Sequence, residues 1–385
     1  MKNIIYISLV DWFWIKQRPH HFTEILSKSN RITYFSRRPW KSNPNIVIAD
    51  RVKSNEINKS IIIKNSTMKI IRKKGIPKET KSYIIKKINL FIFKRYLCKL
   101  DRINKYDTII FTHPNQIKIV SNDFLKDKMV IYDCMDNYKC WPECNKDELI
   151  INEKKILSIS DIVIVSSSEL YKNILGYNKK LKDKLYIINN GVDIENFSKE
   201  NLKNENEINV FNVNNKKKIG YIGTVSSWFD FQLLKNTALK HKELEFYIIG
   251  PIEEGADIGS CKEIENIIFT GSQPYYSIPN ILSKIDVAIM PFKKNELIEA
   301  VNPVKIYEYL AMGKAVVALK YKETEKFRDL IYTYDSQEEF ENALDMAIKS
   351  KRNNIDKRIQ FAKNNSWQAR VDAFNKLINE RVGRK

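Results

Sequence analysis

The chain has few cysteines and no long apolar run. Its 385 residues include five cysteines, an odd number for so large a chain, so a disulfide framework is not expected and the thiols indicate a cytoplasmic protein. No uninterrupted apolar stretch reaches the roughly 20 residues that a membrane span needs. The apolar start at residues 1–9 is short and runs into Asp11 without a small-residue cleavage site. It therefore predicts a first strand and not a signal peptide.

Patterns typical of metal sites are also missing. Cys134, Cys140 and Cys144 follow a C-x5-C-x3-C spacing, which is wider than the C-x2-C pairs of most zinc sites. No Asp-x-Asp sequence occurs in the chain. We therefore predict no bound metal and no resident cofactor.

Acidic residues are scarce in the first half of the chain. Residues 1–185 contain 37 Lys and Arg against 18 Asp and Glu, whereas residues 186–385 contain 29 against 28. Within the first half, residues 51–100 contain 15 basic and 2 acidic residues. The asymmetry predicts an anionic partner for this half, which is membrane lipid, a polyanionic glycan or nucleic acid.

Short apolar runs predict β-strands, and helical stretches lie between them. Several of the runs do not alternate with polar residues, which is typical of strands buried on both faces of a parallel sheet. In the first half the predicted strands are residues 4–9, 32–35, 61–63, 108–111, 129–132, 162–165 and 185–188. In the second half they are residues 219–222, 246–249, 267–269, 287–290, 315–317 and 330–332. The pattern predicts an α/β chain with two Rossmann-like, doubly wound domains.

The turn signal Asn-Asn-Gly at residues 189–191 marks the boundary between the two predicted domains. We expect an N-terminal domain over residues 1–188 and a C-terminal domain over residues 189–365, with an exposed Asn-rich loop at 198–217. A ligand of two such domains is expected in the cleft between them, at the carboxyl ends of the strands.

The segment 302–313 is the most informative part of the sequence. It lies between two predicted strands, and Pro303 is expected in the first turn of a short helix that ends at Gly313. Lys305 and Glu308 are three residues apart, so they share one helical face near the free N–H groups of the first turn. A cation at a helix N-terminus binds phosphate, and a nearby carboxylate accepts bonds from sugar hydroxyls. The segment predicts a nucleoside diphosphate site, although an ordinary surface ion pair has the same spacing.

Two motifs and several weaker segments carry a resemblance to a known family. The motifs are Asn-Pro-x-Lys-x-x-Glu-Tyr at 302–309 and Asn-Gly-Val-Asp at 190–193. The weaker segments are residues 14–22, 132–136, 160–166 and 220–224, with Trp228 and Asp230. Together they resemble the GT-B glycosyltransferases, specifically the large retaining family that includes cell-envelope enzymes of the teichuronic-acid type. The likeness covers nearly the whole chain.

The resemblance implies a GT-B fold that transfers a sugar from a nucleotide donor to an acceptor, with retention. It implies an acceptor-binding N-terminal domain, a donor-binding C-terminal domain and a final helix at 366–385 that crosses back to the first domain. Lys305 would meet the diphosphate and Glu308 the ribose. The full set of implied donor-binding residues is Gly223, Thr224, Trp228, Asp230, Glu299, Asn302, Pro303, Lys305 and Glu308. The donor would be a UDP-, GDP- or dTDP-sugar, and the acceptor a cell-surface glycan, a lipid-linked saccharide or a protein-linked glycan.

The chain departs from the family pattern at three places. Position 300 is Ala where many relatives have Glu, with Glu299 one residue away. The loop 224–230 lacks the Arg and Lys that relatives often carry there, so Lys305 would bear more of the diphosphate. Residues 12–14, two Trp and a Phe, replace the Gly-rich loop after the first strand.

Three residues of the first half are candidate catalytic residues. His113 and Asp136 follow predicted strands, whose carboxyl ends face the expected cleft, and Arg18 opens the first helix. The resemblance implies that His113 contacts the donor sugar or acts near the acceptor, and Arg18 would pair with an acceptor or donor phosphate. Asp133 or Asp136 would orient an acceptor hydroxyl. The structural alternatives are a turn histidine, and for Asp136 a helix N-cap.

Residues 80–100 predict a basic amphipathic helix. Its apolar residues are Ile84, Ile88, Phe91, Ile92 and Leu97, and its basic residues are Lys81, Lys86, Lys87, Lys94, Arg95 and Lys99. Either the helix packs on a core in the ordinary way, or it docks the protein on an anionic membrane surface from the cytoplasmic side.

Three other functions compete with glycosyl transfer. A sugar-nucleotide epimerase has the same fold but needs an acid–base carboxylate set that the sequence does not identify. A nucleic-acid or polyanion binder would explain the charge, but no recognisable RNA-binding motif is present, so no nucleic acid is expected. A non-catalytic GT-B scaffold is the third.

Overall fold

The computed structural model describes residues 1–40, 57–142, 144–202, 210–350 and 354–382. They form two compact units. The first contains the described residues up to Asn189 together with a C-terminal segment that starts at Arg370, and the second extends from Asn190 to Ala369. Residues 203–209 of the predicted loop and 383–385 of the predicted last helix lie outside the described residues.

The first unit contains an eight-stranded sheet. Its strands are β1 (Asn3–Ile7), β2 (Arg31–Arg37), β3 (Ile61–Ile63), β4 (Met68–Lys73), β5 (Thr108–Phe111), β6 (Met129–Cys134), β7 (Ile162–Val165) and β8 (Leu185–Ile187). Their order is β3-β4-β2-β1-β5-β6-β7-β8, and every pair is parallel except β3 with β4. The chain therefore winds outward in both directions from β1, and the switch point lies between β1 and β5.

The second unit contains a six-stranded, fully parallel sheet. Its strands are β9 (Lys217–Ile222), β10 (Leu244–Ile249), β11 (Ile267–Gly271), β12 (Val287–Met290), β13 (Ala315–Leu319) and β14 (Tyr332–Tyr334). Their order is β11-β10-β9-β12-β13-β14, which puts the switch point between β9 and β12. In a doubly wound sheet, ligands bind at the carboxyl ends of the strands beside such a point.

The helices connect the parallel strands. In the first unit they are α1 (Arg18–Leu26), α2 (Tyr83–Asn104), α3 (Asn122–Leu125), α4 (Lys146–Ile159) and α5 (Ser168–Tyr177). In the second they are α6 (Phe231–Lys240), α7 (Gly259–Lys262), α8 (Ile278–Ser283), α9 (Glu296–Glu299), α10 (Val304–Ala311), α11 (Gln337–Lys349) and α12 (Ile355–Asn364). The last helix, α13 (Trp367–Val382), begins in the second unit and continues into the first. None of the helices within the described ranges is long and apolar enough to span a bilayer.

The predicted strands are all found, with two differences. Strand β4 is not among the predicted strands, because its two isoleucines are flanked by the basic residues Lys69, Arg72 and Lys73 and form no apolar run. In the sheet the charge of the buried Arg72 is balanced by Asp11 at 2.8 Å, whereas Lys69 and Lys73 are only partly buried. The strand predicted at 330–332 instead covers Tyr332–Tyr334, because Leu330 and Ile331 still belong to the turn before it.

The predicted apolar face of the last helix is buried. Trp367, Val371, Phe374 and Ile378 are each at most 3% exposed. Within the first unit, the ring of Phe374 packs edge-on against Phe22 of α1, with centroids 5.7 Å apart. The spacing of apolar residues was therefore sufficient to identify the buried side of α13.

Candidate active site

Helix α10 follows β12 at the carboxyl edge of the second sheet, beside the switch point. Tyr309 attaches it to the end of the neighbouring strand, because its hydroxyl accepts the N–H of Ile222 at 2.9 Å and lies 3.3 Å from the Ile222 carbonyl. The helix ends as expected, with Gly313 in the left-handed conformation at φ +70°. Pro303 lies at the N-cap and not in the first turn, so the prediction was one residue early.

Lys305 and Glu308 form an ion pair on the first turns of α10. The Lys305 Nζ lies 2.7 Å from Glu308 Oε2. The lysine side chain is 27% exposed and the glutamate side chain is 5% exposed. Burial raises the pKa of Glu308, an effect that Lys305 opposes and that Asp193 reinforces. Among the residues that the structure describes, no side chain caps the helix start. The pair thus leaves a partly exposed cation beside uncapped backbone N–H groups, which is favourable for an anion.

Asn302, which was predicted to bind the donor, lies in the interior of the second unit. It is 2% exposed. Its side-chain oxygen accepts the N–H of Asn190 at 2.8 Å, and its side-chain nitrogen donates to Glu323 at 2.9 Å. The Tyr307 hydroxyl also donates to that oxygen, at 3.3 Å. Asn302 therefore supports the start of α10 through the interior of the unit, and its amide is already committed to protein partners.

Gly223 and Thr224 form the turn at the end of β9. The Gly223 N–H donates to Ile249 at 2.9 Å, and the Thr224 carbonyl accepts the Tyr221 hydroxyl at 2.8 Å. Gly250, at φ +149°, faces this turn so closely that a Cβ on it would lie 1.9 Å from the Gly223 carbonyl oxygen. The turn is consequently held by backbone contact and has little room to move.

The other predicted donor-binding residues differ in their contacts and burial. Asp230 caps α6, because its carboxylate accepts the Leu233 N–H at 3.0 Å. Trp228 is partly buried and packs against the core of the unit. Glu299 is the last residue of the short helix α9 and is partly exposed, whereas the neighbouring Ala300 is 1% exposed. Glu299 therefore remains accessible on α9.

His113 lies at the carboxyl edge of the first sheet, directly after β5. Its Nδ1 accepts the Asn115 N–H at 3.1 Å, and burial lowers the pKa of His113 to about 4. The ring is therefore neutral near pH 7 with its proton on Nε2, so it can donate a hydrogen bond there but cannot accept a proton there. His113 thus caps the helical turn that follows it, which is the structural alternative considered for this residue. The cap uses Nδ1, so Nε2 can still donate to a ligand.

Asp136 follows β6, the neighbour of β5, and so lies at the same edge of the first sheet. It is half-buried, and burial raises the pKa of Asp136 to about 6. The helix N-cap considered for it is not found, because the next helical turn, Tyr138–Cys140, starts after Asn137 and has no side-chain cap. A carboxyl with a raised pKa at this edge is a candidate functional group.

Arg18 does not present its guanidinium to a phosphate. The side chain is 3% exposed, and it contacts both carboxylate oxygens of Asp133 at 3.0–3.1 Å through Nε. It also donates to the carbonyls of Ile188 and Asn189. The prediction failed because a pattern of residue types does not reveal burial, and Arg18 and Asp133 are 115 positions apart. Both residues support the interior of the first unit.

Three features of the two edges were not predicted. They are the anchor provided by Tyr309, the close approach of Gly250, and the aromatic contact of His113 with Tyr138, whose ring centroids are 4.5 Å apart. A Gly-Pro pair directly after a strand could have drawn attention to Gly250. In the described part of the chain, no group of three or more His, Cys, Asp or Glu side chains is arranged to hold a metal ion. Metal independence remains a prediction.

Two largely parallel, doubly wound sheets in tandem, with helix α10 at the switch point of the second, are the arrangement of the GT-B class of glycosyltransferase folds. Solved structures of this class match the whole chain. HepE of Anabaena in complex with UDP and glucose matches at a TM-score of 0.72 and 13% identity, with 100% of both chains covered. Sucrose-phosphate synthase of Thermosynechococcus elongatus matches at 0.72 and 14%, also with 100% of both covered. These likenesses show the fold and confirm that prediction.

Sequence comparison refines the class. Residues 216–350, which lie in the second unit, match the model of a family described as "Glycosyl transferases group 1". One curated relative is "Putative teichuronic acid biosynthesis glycosyltransferase TuaH" of Bacillus subtilis (strain 168), 29% identical over 220 residues. The alignment covers 53% of this chain and 54% of that relative, about half the length of each. The predicted resemblance to GT-B glycosyltransferases of the teichuronic-acid type is confirmed.

Proposed function

We propose that the protein is a glycosyltransferase that takes a sugar from a nucleotide donor and adds it, with retention, to a glycan of the cell surface. The observation that carries the proposal is the Lys305–Glu308 pair at the uncapped start of α10, beside the switch point of the second sheet. The similarity to group 1 glycosyltransferases and to a UDP-bound structure supports it. The acceptor would be a growing polysaccharide, a lipid-linked saccharide or a protein-linked glycan.

In this proposal the second unit binds the donor. The Lys305 ammonium and the N–H groups at the start of α10 neutralise the diphosphate, whose negative charge grows as the bond to the sugar breaks. Glu308 is held in place by Lys305 and accepts hydrogen bonds from the ribose hydroxyls. The fixed turn at Gly223 and Thr224 lets the ligand approach the backbone closely. UDP is the first nucleotide to test. The proposed mechanism needs no metal.

The first unit would bind the acceptor. Asp136 accepts a hydrogen bond from the acceptor hydroxyl when its carboxyl is ionised, which orients the attacking oxygen. His113 donates from Nε2 to a sugar oxygen. Arg18 has no direct role in the proposal, because its guanidinium is enclosed with Asp133.

The test is the release of UDP from a panel of UDP-sugars in the presence of simple saccharide acceptors, with Asp136→Asn as the key variant. We expect the wild-type rate to fall as the pH drops through about 6, because the pKa of Asp136 is raised to about 6 and protonation removes its acceptor oxygens. Asp136→Asn should be at least about tenfold slower and lack this step. The rate is measured from pH 5 to 8 with an assay for free UDP.

The same variant should be more stable than the wild type at pH 7. The pKa of Asp136 is higher in the folded protein than its ordinary 3.8, so the stability it contributes is present below pH 3.8 and lost as the pH rises through about 6. Asparagine avoids the burial of a charge, and we expect a gain of about 2 kcal/mol in the free energy of unfolding.

In the activity assay, an Asp136→Asn variant as active as the wild type would contradict the proposed role. Conversion of the UDP-sugar without release of UDP would indicate an epimerase.

We also propose that α2 docks the protein on an anionic membrane surface on the cytoplasmic side. Its buried face consists of Asn89, Phe93, Leu97 and Leu100. The apolar stripe, defined as Tyr83, Ile84, Ile88 and Phe91, is instead 42–70% exposed. The spacing predicts Leu97 on one face with Ile84, Ile88 and Phe91, but in the helix Leu97 lies on the buried face and the other three lie on the exposed one.

Basic side chains accompany the apolar stripe. The Lys87 ammonium lies 4.6 Å from the centre of the Tyr83 ring, and the Arg95 guanidinium lies 5.5 Å from that of Phe91. Exposed apolar groups beside cations are the combination that binds the interface of an anionic bilayer. Each basic residue contributes about 1 kcal/mol near such a surface.

Removal of the apolar stripe should abolish this binding. The triple variant Ile84→Ser, Ile88→Ser, Phe91→Ser is expected to lose about tenfold or more in affinity for phosphatidylglycerol vesicles, measured by co-sedimentation at low salt. Ile151→Ser is the matched control, because Ile151 of α4 is 53% exposed but lies outside the stripe. Equal binding of the wild type to phosphatidylglycerol and phosphatidylcholine vesicles would refute the proposal.

A further inference from the structure

A row of three aromatic rings lies at the carboxyl edge of the first sheet, and the proposed mechanism uses only the first of them. His113 contacts Tyr138 edge-on at 4.5 Å between ring centroids, and Tyr138 contacts Trp141 at 5.4 Å with the planes inclined by 60°. The row runs from the end of β5 to the segment after β6. Trp141 is its outer member and is 40% exposed.

The inner part of the row is fixed. Tyr138 is 3% exposed, and its hydroxyl donates to the Thr112 carbonyl at 2.6 Å. The Trp141 N–H of the main chain donates to the Tyr138 carbonyl at 3.3 Å, so a single turn of backbone links the two rings. Trp141 therefore presents a large aromatic surface to solvent, and its ring is supported by the buried ring of Tyr138.

Polar groups suited to a saccharide lie next to Tyr138, the middle ring of the row. Asp136 stands two residues before Tyr138, and the negative charge of its carboxylate acts on the Tyr138 hydroxyl, whose pKa it raises together with burial. His113 Nε2 is a donor on the same row. Sugar rings bind proteins through this combination, because their C–H faces pack on an aromatic ring while their hydroxyls bond to carboxylates and N–H groups at the rim.

We propose that Trp141 is the stacking platform for a pyranose ring of the acceptor, so that the protein takes an acceptor that already carries a sugar. The inference rests on the proposed function, since it extends the acceptor side of that site. It names the chemical class of the acceptor: a saccharide that presents a ring to Trp141 and a hydroxyl towards Asp136. A bare lipid phosphate would not use this surface.

The experiment measures the binding of simple saccharides and compares two exposed tryptophans. The probes are the methyl glycosides of glucose, N-acetylglucosamine and glucuronic acid, titrated into the full-length protein in the presence of UDP and observed by saturation-transfer NMR. Trp141→Ala should weaken the binding of the preferred glycoside about tenfold, and Trp141→Phe should retain binding within about threefold because it keeps an aromatic face. Trp40→Ala is the matched control, since Trp40 is 54% exposed in the same unit.

The affinity for UDP, measured on the same samples, separates the two proposals. Trp141→Ala should bind UDP like the wild type and unfold at the same temperature. If UDP binds but none of the glycosides does, or if Trp141→Ala and Trp40→Ala weaken glycoside binding equally, the platform is refuted and the proposed function stands. If UDP and the UDP-sugars also fail to bind, both proposals are refuted.

Discussion

Replacement of Lys305 by alanine is expected to weaken the binding of UDP about 30-fold, because the variant loses the proposed cation–phosphate contact, worth about 2 kcal/mol. Lys305 is the only member of its ion pair with substantial exposure, since Glu308 keeps 5% and the lysine 27%. The substitution also leaves Glu308 without its partner. The raised pKa of Glu308 limits that cost, because the carboxyl can take up a proton. The affinity is measured by isothermal titration of UDP without added metal.

Two comparisons separate a direct phosphate contact from a general effect of charge. Lys240→Ala also removes one cation and one ion pair, that with Glu341, but at the end of α6 and away from the start of α10. It should leave the affinity for UDP unchanged. Lys305→Arg should recover part of the affinity, and the salt dependence of UDP binding should be smaller in Lys305→Ala than in the wild type. Equal losses in Lys305→Ala and Lys240→Ala would contradict the assignment.

The fold could be predicted because its signals are local. Buried parallel strands need continuous apolar residues, so β6, β7 and β12 were visible as short runs, and Gly313 marked the end of α10. Strand β4 escaped notice because it contains three basic residues, and the partner of Arg72, Asp11, lies far away in the sequence. A short stretch of sequence does not show which residue on another strand or helix will pair with a given side chain.

The same limit explains the mixed outcome at the site. Lys305 and Glu308 are three residues apart, so their contact followed from helix geometry alone. Arg18 is committed to Asp133, which is 115 positions away, and its residue type alone suggested a phosphate ligand. Asn302 behaves similarly, because its amide is used by Asn190. Residue types and spacing predict an edge of the sheet as the ligand site, but burial decides which polar side chains remain available there.

Gly250→Ala is expected to destabilise the second unit by about 4 kcal/mol or more, which lowers the melting temperature by roughly 10 °C. Two effects add. Gly250 has φ +149°, a conformation that alanine adopts only with strain, and its new Cβ would lie 1.9 Å from the Gly223 carbonyl oxygen. That contact is with backbone, so no side chain can rotate away. Either β10 or the turn after β9 has to move, and the turn at Gly223 is part of the proposed donor site.

Gly255→Ala separates the clash from the strain. Gly255 also has a positive φ, +93°, but a Cβ there would meet nothing within 4 Å. It should therefore cost about 1–3 kcal/mol, the penalty for backbone conformation alone, and should leave UDP binding intact. Urea unfolding and UDP titration of the two variants are the measurements. If both lost the same stability, the close approach of Gly250 to Gly223 would have no energetic consequence. If Gly250→Ala folded and bound UDP normally, the rigid turn would not be needed for the donor.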